Sequence, residues 1–329
     1  MENITNEYVM TLDAGKYETK LIGKNKKGTT EDIKRVIFKT KIYNLEDGYI
    51  DIEGNSHKIE LDGKEYLIGE QGVEDSSETS KTNLIHKLAA YTAITQVLDS
   101  NKNNKVQLVL ACPLSVLRNA KAKEEYRDYI KGNDEITVKV DDKEYSFEIT
   151  DITIKAEGSG VLFLEQENFK NKNVAVIDFG GLNMGFSLYR NCVVNPSERF
   201  IEEHGVKDLI IRVGDALTDL NNGNLITNEQ AESALNNGYM KKGGEIDTES
   251  STVIKKVKEK FLKDAIKLIE KRGFKLDQLD SLIFIGGTTQ KLKEQISKTY
   301  PNNSIITNNS QWTTCEGLYK VAVAKYCIQ

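Results

Sequence analysis

The chain has 329 residues, 39% of them apolar and 29% charged, so one very large globular domain or two ordinary ones are expected. Its 45 Lys and Arg nearly balance 50 Asp and Glu, and the net charge of −5 argues against a salt-sensitive grip on DNA by the whole surface. The N-terminus shows no basic-then-apolar signal and no apolar run approaches membrane-spanning length, so a cytoplasmic protein without a membrane partner is expected. Cys112, Cys192, Cys315 and Cys327 lie far apart without a CxxC and read as free thiols of a reducing compartment. His57, His86 and His204 are equally scattered, so no zinc site follows.

In chain order, the first strong pattern is Val9-Met-Thr-Leu-Asp13-Ala-Gly15-Lys16-Tyr17-Glu-Thr-Lys20-Leu-Ile. An apolar strand runs into a carboxylate, turns at a glycine and returns. Lys20 lies on the return strand, where its ammonium either reaches a phosphate or is solvated on an exposed face. Residues 35–69 alternate in short segments punctuated by Glu-Asp-Gly, Glu-Gly-Asn and Asp-Gly turns, which predicts a small β-rich subdomain inserted into the first half. The polar stretch 74–81 reads as a loop, and apolar residues at helical spacing predict an amphipathic helix over 84–98. A buried strand over 106–111 ends at Cys112-Pro113, and the charged stretch 118–131 reads as a helix closed by Gly132. Residues 136–140 and 145–149 flank Asp141-Asp142-Lys as a hairpin, with a further strand at 152–154.

Lys155-Ala-Glu157-Gly-Ser-Gly160 then puts a glutamate at a strand-to-helix junction followed by small residues. Its carboxylate either points past the turn into a cleft or complements the dipole of the following helix. Val174-Ala-Val-Ile-Asp178-Phe-Gly180-Gly181-Leu182-Asn183-Met-Gly-Phe-Ser-Leu-Tyr189 repeats the opening design. Aligning Asp13 on Asp178 also aligns Val9 on Val174, Leu12 on Ile177 and Gly15 on Gly180. A repeat at this offset suggests two similar α/β halves facing each other. Taken alone, such a hairpin is often a plain turn. As a pair, two turns with a carboxylate at the mouth and N–H donors at the tip suit a magnesium-nucleotide.

A helix is expected after Gly205, and the Asn- and Gly-rich stretch 219–250 reads as short helices with exposed loops. A strongly amphipathic helix follows over 253–269, closed by Gly273. The run Ser281-Leu-Ile-Phe-Ile-Gly286-Gly287-Thr288-Thr289 is again a strand, paired glycines and a helix start, and Trp312-Thr-Thr-Cys-Glu316-Gly317 opens a last helix. Neither a Walker-type loop nor a G-x-G-x-x-G is present.

Taken in order, these segments resemble the actin/Hsp70/sugar-kinase superfamily. The two hairpins look like its phosphate motifs, Glu157 and the Cys315-Glu-Gly helix like its connecting motifs, and 285–289 like its adenosine motif. Within the superfamily the chain is most similar to bacterial ParM-type plasmid-segregation actins, through Thr82-Asn-Leu-Ile-His-Lys-Leu, Leu110-Ala-Cys-Pro-Leu-Ser and the stretch around Glu157. The resemblance implies an α/β, actin-like fold: two RNase H-like domains around a nucleotide cleft, each with a smaller inserted subdomain. Domain I would span 1–160, with its β-rich insert at about 32–80, and be completed by a C-terminal helix over 312–329. Domain II would span 161–311, with a helical insert at about 205–275.

It further implies an ATPase (GTP being possible) that forms dynamic filaments and moves plasmid or phage DNA through a DNA-binding adaptor, without touching DNA itself. Asp13 and Asp178 would hold Mg²⁺ through water, and Glu157 would polarise the attacking water. Gly15, Lys16, Tyr17, Lys20, Gly180, Gly181, Leu182 and Asn183 would line the phosphates, and Gly286, Gly287, Thr288 and Thr289 the nucleoside. Relatives often carry Thr-Thr at Leu182-Asn183 and an acidic residue at Gly185, so phosphate contacts there would come from the backbone. The competing readings are a small-molecule kinase, which needs a general-base aspartate that the sequence does not display, and a chaperone-like ATPase, which usually carries an appended substrate domain.

Overall fold

The computed structural model describes residues 5–75, 81–99 and 102–327. Residues 76–80 of the expected loop and 328–329 of the expected last helix lie outside them. The chain divides into two compact units, Met1–Leu164 with Thr314–Gln329, and Glu165–Thr313.

In the first unit, strands β1 (Asn6–Ala14), β2 (Glu18–Asn25) and β3 (Lys34–Lys39) form an antiparallel meander. The short β4 (Ile42–Asn44), β5 (Ser56–Leu61) and β6 (Lys64–Gly69) follow, then helix α1 (Leu84–Thr95) and β7 (Asn104–Cys112), which pairs parallel to β1. Helices α2 (Leu114–Leu117) and α3 (Ala120–Lys131), strands β8 (Ile136–Val140) and β9 (Lys143–Ala156), and helix α4 (Gly160–Leu164) complete this part. One sheet runs β3-β2-β1-β7-β9-β8-β5-β6-β4, so the β-rich stretch expected as an insert hydrogen-bonds into the main sheet at both ends. Tyr8, Val9, Met10 and Leu12 are all buried, as a strand covered on both faces requires. The strands expected at 145–149 and 152–154 are one strand, β9, with its pairing to β7 shifted by one residue opposite Val106 and Gln107.

Helix α1 departs from the amphipathic expectation. Asn83 caps its first turn by accepting from the His86 amide, but every residue from Ile85 to Thr95 except Lys87 is buried. The helix touches β1, β2, β5, β8 and α3, and Ala89, Ala90 and Ala93 let these neighbours close around it.

The second unit opens with β10 (Asn173–Phe179), β11 (Met184–Arg190) and β12 (Val193–Glu202). The periodicity of β12 escaped sequence reading because Asn195-Pro196-Ser197 interrupts it, and its pairing with β11 shifts register between Ser187 and Tyr189. Helices α5 (Val206–Leu220) and α6 (Asn228–Asn237) follow, the latter opened by a capping box of Thr227 and Gln230. A two-stranded hairpin of β13 (Met240–Lys242) and β14 (Glu245–Asp247) turns on Gly243-Gly244, where short helices and exposed loops are expected from the sequence. Helix α7 (Thr248–Lys271) starts five residues before its apolar periodicity does, because Asp247 caps its free amides. Strand β15 (Ser281–Ile285), helices α8 (Gly287–Lys291) and α9 (Lys293–Thr299) and strand β16 (Ser304–Ile306) close the unit, and α10 (Thr313–Tyr326) returns the chain to the first.

The sheet of the second unit runs β12-β11-β10-β15-β16. Five strands of the first unit run β3-β2-β1-β7-β9. In both, the first strand pairs antiparallel with the second and parallel with the fourth. The repeat read from two hairpins therefore extends to a five-strand order shared by both sheets. Among the described residues, no helix is long and apolar enough to cross a membrane.

Candidate functional site

Each unit carries its own cluster at the end of its first strand. In the first unit, Asp13 stands at the end of β1, directly across the hairpin from Lys20 on β2. A Cβ on Gly15 would lie 2.4 Å from the Glu18 carbonyl oxygen, so the turn closes only around a glycine. The Tyr17 carbonyl accepts from the Thr40 amide at 3.0 Å, and the Lys39 ammonium lies 3.7 Å from the centre of the Tyr17 ring. Lys20 is largely buried, with its ammonium 3.4 Å from Glu18. Burial pulls its pKa down, but Asp13 and Glu18 outweigh that and hold it above the ordinary lysine value. Lys20 is thus no solvated surface lysine.

Glu157 follows β9, and its amide donates to the Cys112 carbonyl at 2.9 Å, tying the ends of β7 and β9 together. Its carboxylate stands 3.7 Å from the Lys81 ammonium. Burial raises the Glu157 pKa above the ordinary value, against the opposing pull of Lys81. Lys81, expected in a solvated loop, is only 3% exposed and donates to the Ala14 carbonyl at 2.5 Å. Sequence reading missed it because it sits inside a polar run. No local signal marks it, because its burial is set by Ala14 and Glu157, both distant in the chain. Burial first, then Glu157, pushes the nearby Cys112 thiol up to about 12, so it stays protonated and is no nucleophile.

In the second unit, Asp178 lies near the end of β10, opposite Gly185. The Gly180 amide, expected to be open to a ligand, instead donates to the Asn183 carbonyl at 2.9 Å and closes the turn. The Gly180 and Gly181 carbonyls accept from the Val206 and Lys207 amides at 3.1 and 3.0 Å, which pins the turn to the start of α5. That approach requires Gly205, whose Cβ would fall 2.4 Å from the Leu182 carbonyl carbon. Gly181, Leu182 and Asn183 remain partly exposed at the tip.

Gly286 has φ +92°, and a Cβ there would lie 2.3 Å from the Phe179 carbonyl oxygen and 2.5 Å from Asp178 Oδ1. Only glycine lets this backbone lie against the aspartate. Thr288 and Thr289 are buried, their hydroxyls donating to the Gly180 carbonyl at 3.1 Å and the Ile285 carbonyl at 2.5 Å. What Gly286–Thr289 offers a ligand is therefore backbone and the bare glycine face. Among the described residues, no three His, Cys, Asp or Glu side chains gather to hold a metal. Single, partly exposed carboxylates in each unit suit a hard cation reached through its own water shell.

Residues 11–160 match the family model described as actin-like proteins N-terminal domain. Three solved structures are similar over nearly the whole chain. ParM in a 15-stranded filament from Clostridium botulinum has TM-score 0.76 at 20% identity, covering 97% of this chain and 99% of that one. An archaeal actin homologue in complex with ADP has TM-score 0.74 at 17% identity, covering 97% and 100%. Bacillus thuringiensis ParM with ATP has TM-score 0.71 at 18% identity, covering 98% and 99%. The fold is actin-like. No curated protein sequence matches the chain. Within this actin-like fold, the Asp13 and Asp178 hairpins occupy equivalent places, the first and second strands of the five-strand repeat.

Proposed function

We propose that the chain is a polymerising actin-like nucleoside triphosphatase, working on ATP or GTP with Mg²⁺ and forming filaments that move plasmid or phage DNA through a DNA-binding adaptor. The observation that carries this reading is the duplicated hairpin, one aspartate-ended turn per unit on equivalent strands. Phosphoryl transfer to water needs positioned charge and an oriented nucleophile more than covalent chemistry. When bound, Mg²⁺ would neutralise charge on the phosphates, with Asp13 and Asp178 holding its water shell.

Lys20, kept charged by Asp13 and Glu18, would meet the phosphates together with Lys16 and the backbone of Gly15 and Tyr17. Gly181, Leu182 and Asn183 would meet them from the second hairpin. Glu157 would orient the attacking water, and the bare face of Gly286-Gly287 would take the nucleoside. The relatives support the reading by their own descriptions: one is a ParM filament, one holds ATP and one ADP.

The test is light scattering with sedimentation on purified protein and Mg²⁺, comparing ATP, GTP, ADP and a non-hydrolysable triphosphate. Scattering that rises with triphosphate and decays as phosphate is released supports a dynamic filament. Absence of polymer, with turnover dependent on an added small molecule, replaces it with a kinase of the same fold.

A further inference from the structure

Lys81 is a charged side chain withdrawn almost entirely from water, at the end of a stretch whose sequence is otherwise polar. Burying an ammonium is unfavourable unless it is both hydrogen-bonded and neutralised. Its hydrogen bond goes to the carbonyl of Ala14, the residue after Asp13, and its neutralising neighbour is Glu157, 3.7 Å away. One ammonium therefore bridges the end of the first hairpin and the carboxylate proposed to orient water.

The other buried polar groups nearby do not share that task. Among the described residues, neither ring nitrogen of His86 nor the hydroxyl of Tyr126 has a hydrogen-bond partner, and all three are buried. Burial, with Lys81 and Lys16 adding to it, keeps the His86 ring neutral. Of the cations acting on Glu157, Lys81 acts most strongly, ahead of Lys16 and Lys20.

We infer that Lys81 is a positioning residue of the hydrolytic site, fixing the Glu157 carboxylate relative to the Asp13 turn through its paired contacts with Glu157 and Ala14. The inference rests on the role proposed above for Glu157. It assigns Lys81 an action on turnover and none on nucleotide affinity, because its two contacts are internal to the protein.

The experiment is a double-mutant cycle on the full chain, with Lys81→Met and Lys81→Arg each made in the wild-type and Glu157→Gln backgrounds. Steady-state ATP hydrolysis gives kcat and KM, and a fluorescent ATP analogue gives affinity. Lys81→Met should lower kcat by about 10- to 100-fold, less than the roughly 10²- to 10⁴-fold that a positioned acid–base group itself contributes, because Lys81 acts through Glu157. Affinity should move less than about threefold, and Lys81→Arg should recover part of the loss by restoring a cation of different shape.

In the Glu157→Gln background, the same Lys81 substitutions should cost nothing further. A full additional loss in that background, or a parallel loss of affinity, overturns the inference while leaving the hydrolase reading intact. If Lys81→Met does not fold by circular dichroism, Lys81→Arg carries the same cycle. A wild type without hydrolysis in any nucleotide overturns both the hydrolase reading and this inference.

Discussion

Asp13 faces Lys20 across the first hairpin, whereas its counterpart Asp178 faces Gly185, which has no side chain to answer it. The two carboxylates are therefore not chemically equal. Asp13 has a largely buried lysine in the cross-strand position, whereas a glycine holds the equivalent position opposite Asp178.

Lys20→Met removes a cation held above its ordinary pKa, with burial opposing and Asp13 and Glu18 prevailing. A charge-assisted hydrogen bond contributes about 1.5–3 kcal/mol, so triphosphate affinity should fall roughly 10- to 100-fold. Fluorescence titration with labelled ATP checks it. Unchanged affinity would mean that Lys20 serves only the hairpin.

Glu157→Ala should leave nucleotide binding intact and slow hydrolysis, and Asp178→Ala should abolish Mg²⁺-dependent turnover. Phosphate-release assays beside binding titrations separate the two effects. Normal turnover by the Glu157 variant would remove that residue from its proposed role.

Gly286→Ala meets the Phe179 carbonyl at 2.3 Å and Asp178 Oδ1 at 2.5 Å, at φ +92°. Strained backbone of this kind costs of order 1–3 kcal/mol before the clash is counted. The expected outcome is a lower melting temperature with weakened nucleotide binding. The control is Gly223→Ala, which also has positive φ but meets nothing within 4 Å. It should lose stability alone.

His86 links the first unit to pH. Burial, then Lys81 and Lys16, lowers its pKa from 6.5 to about 2. Below pH 6.5 the unfolded chain takes a proton that the folded chain refuses, so stability is full above that pH and falls as pH drops toward 2. The slope from this group alone is about 1.4 kcal/mol per pH unit. Urea unfolding at several pH values should show His86→Leu losing less stability than wild type on acidification, and equal slopes would refute the assignment.

The hairpins, their aspartates and the order of motifs were legible in the sequence because a β-branched run ending in a carboxylate and a glycine turn is a local pattern. So were α3, with Gly132 at its end, and most of α7. Three features were not. The burial of α1 depends on neighbours from four strands and another helix, none of which is written in its own periodicity. Lys81 lies in a polar run whose sequence says loop, and its burial is decided by partners at Ala14 and Glu157. The Gly180 amide spends its donor on Asn183, a choice of turn geometry that composition leaves open.

Helices α4 and α10 meet inside the first unit at Gly160 and Gly317, where a Cβ on Gly317 would fall 1.8 Å from the Gly160 carbonyl oxygen. The chain passes between units at only two places, after Leu164 and before Thr314, each within four residues of that contact. Both tethers are thus anchored at one backbone-to-backbone rivet. Adding even one methyl group at Gly317 would press into the Gly160 backbone and disturb the anchorage of both chain crossings at once.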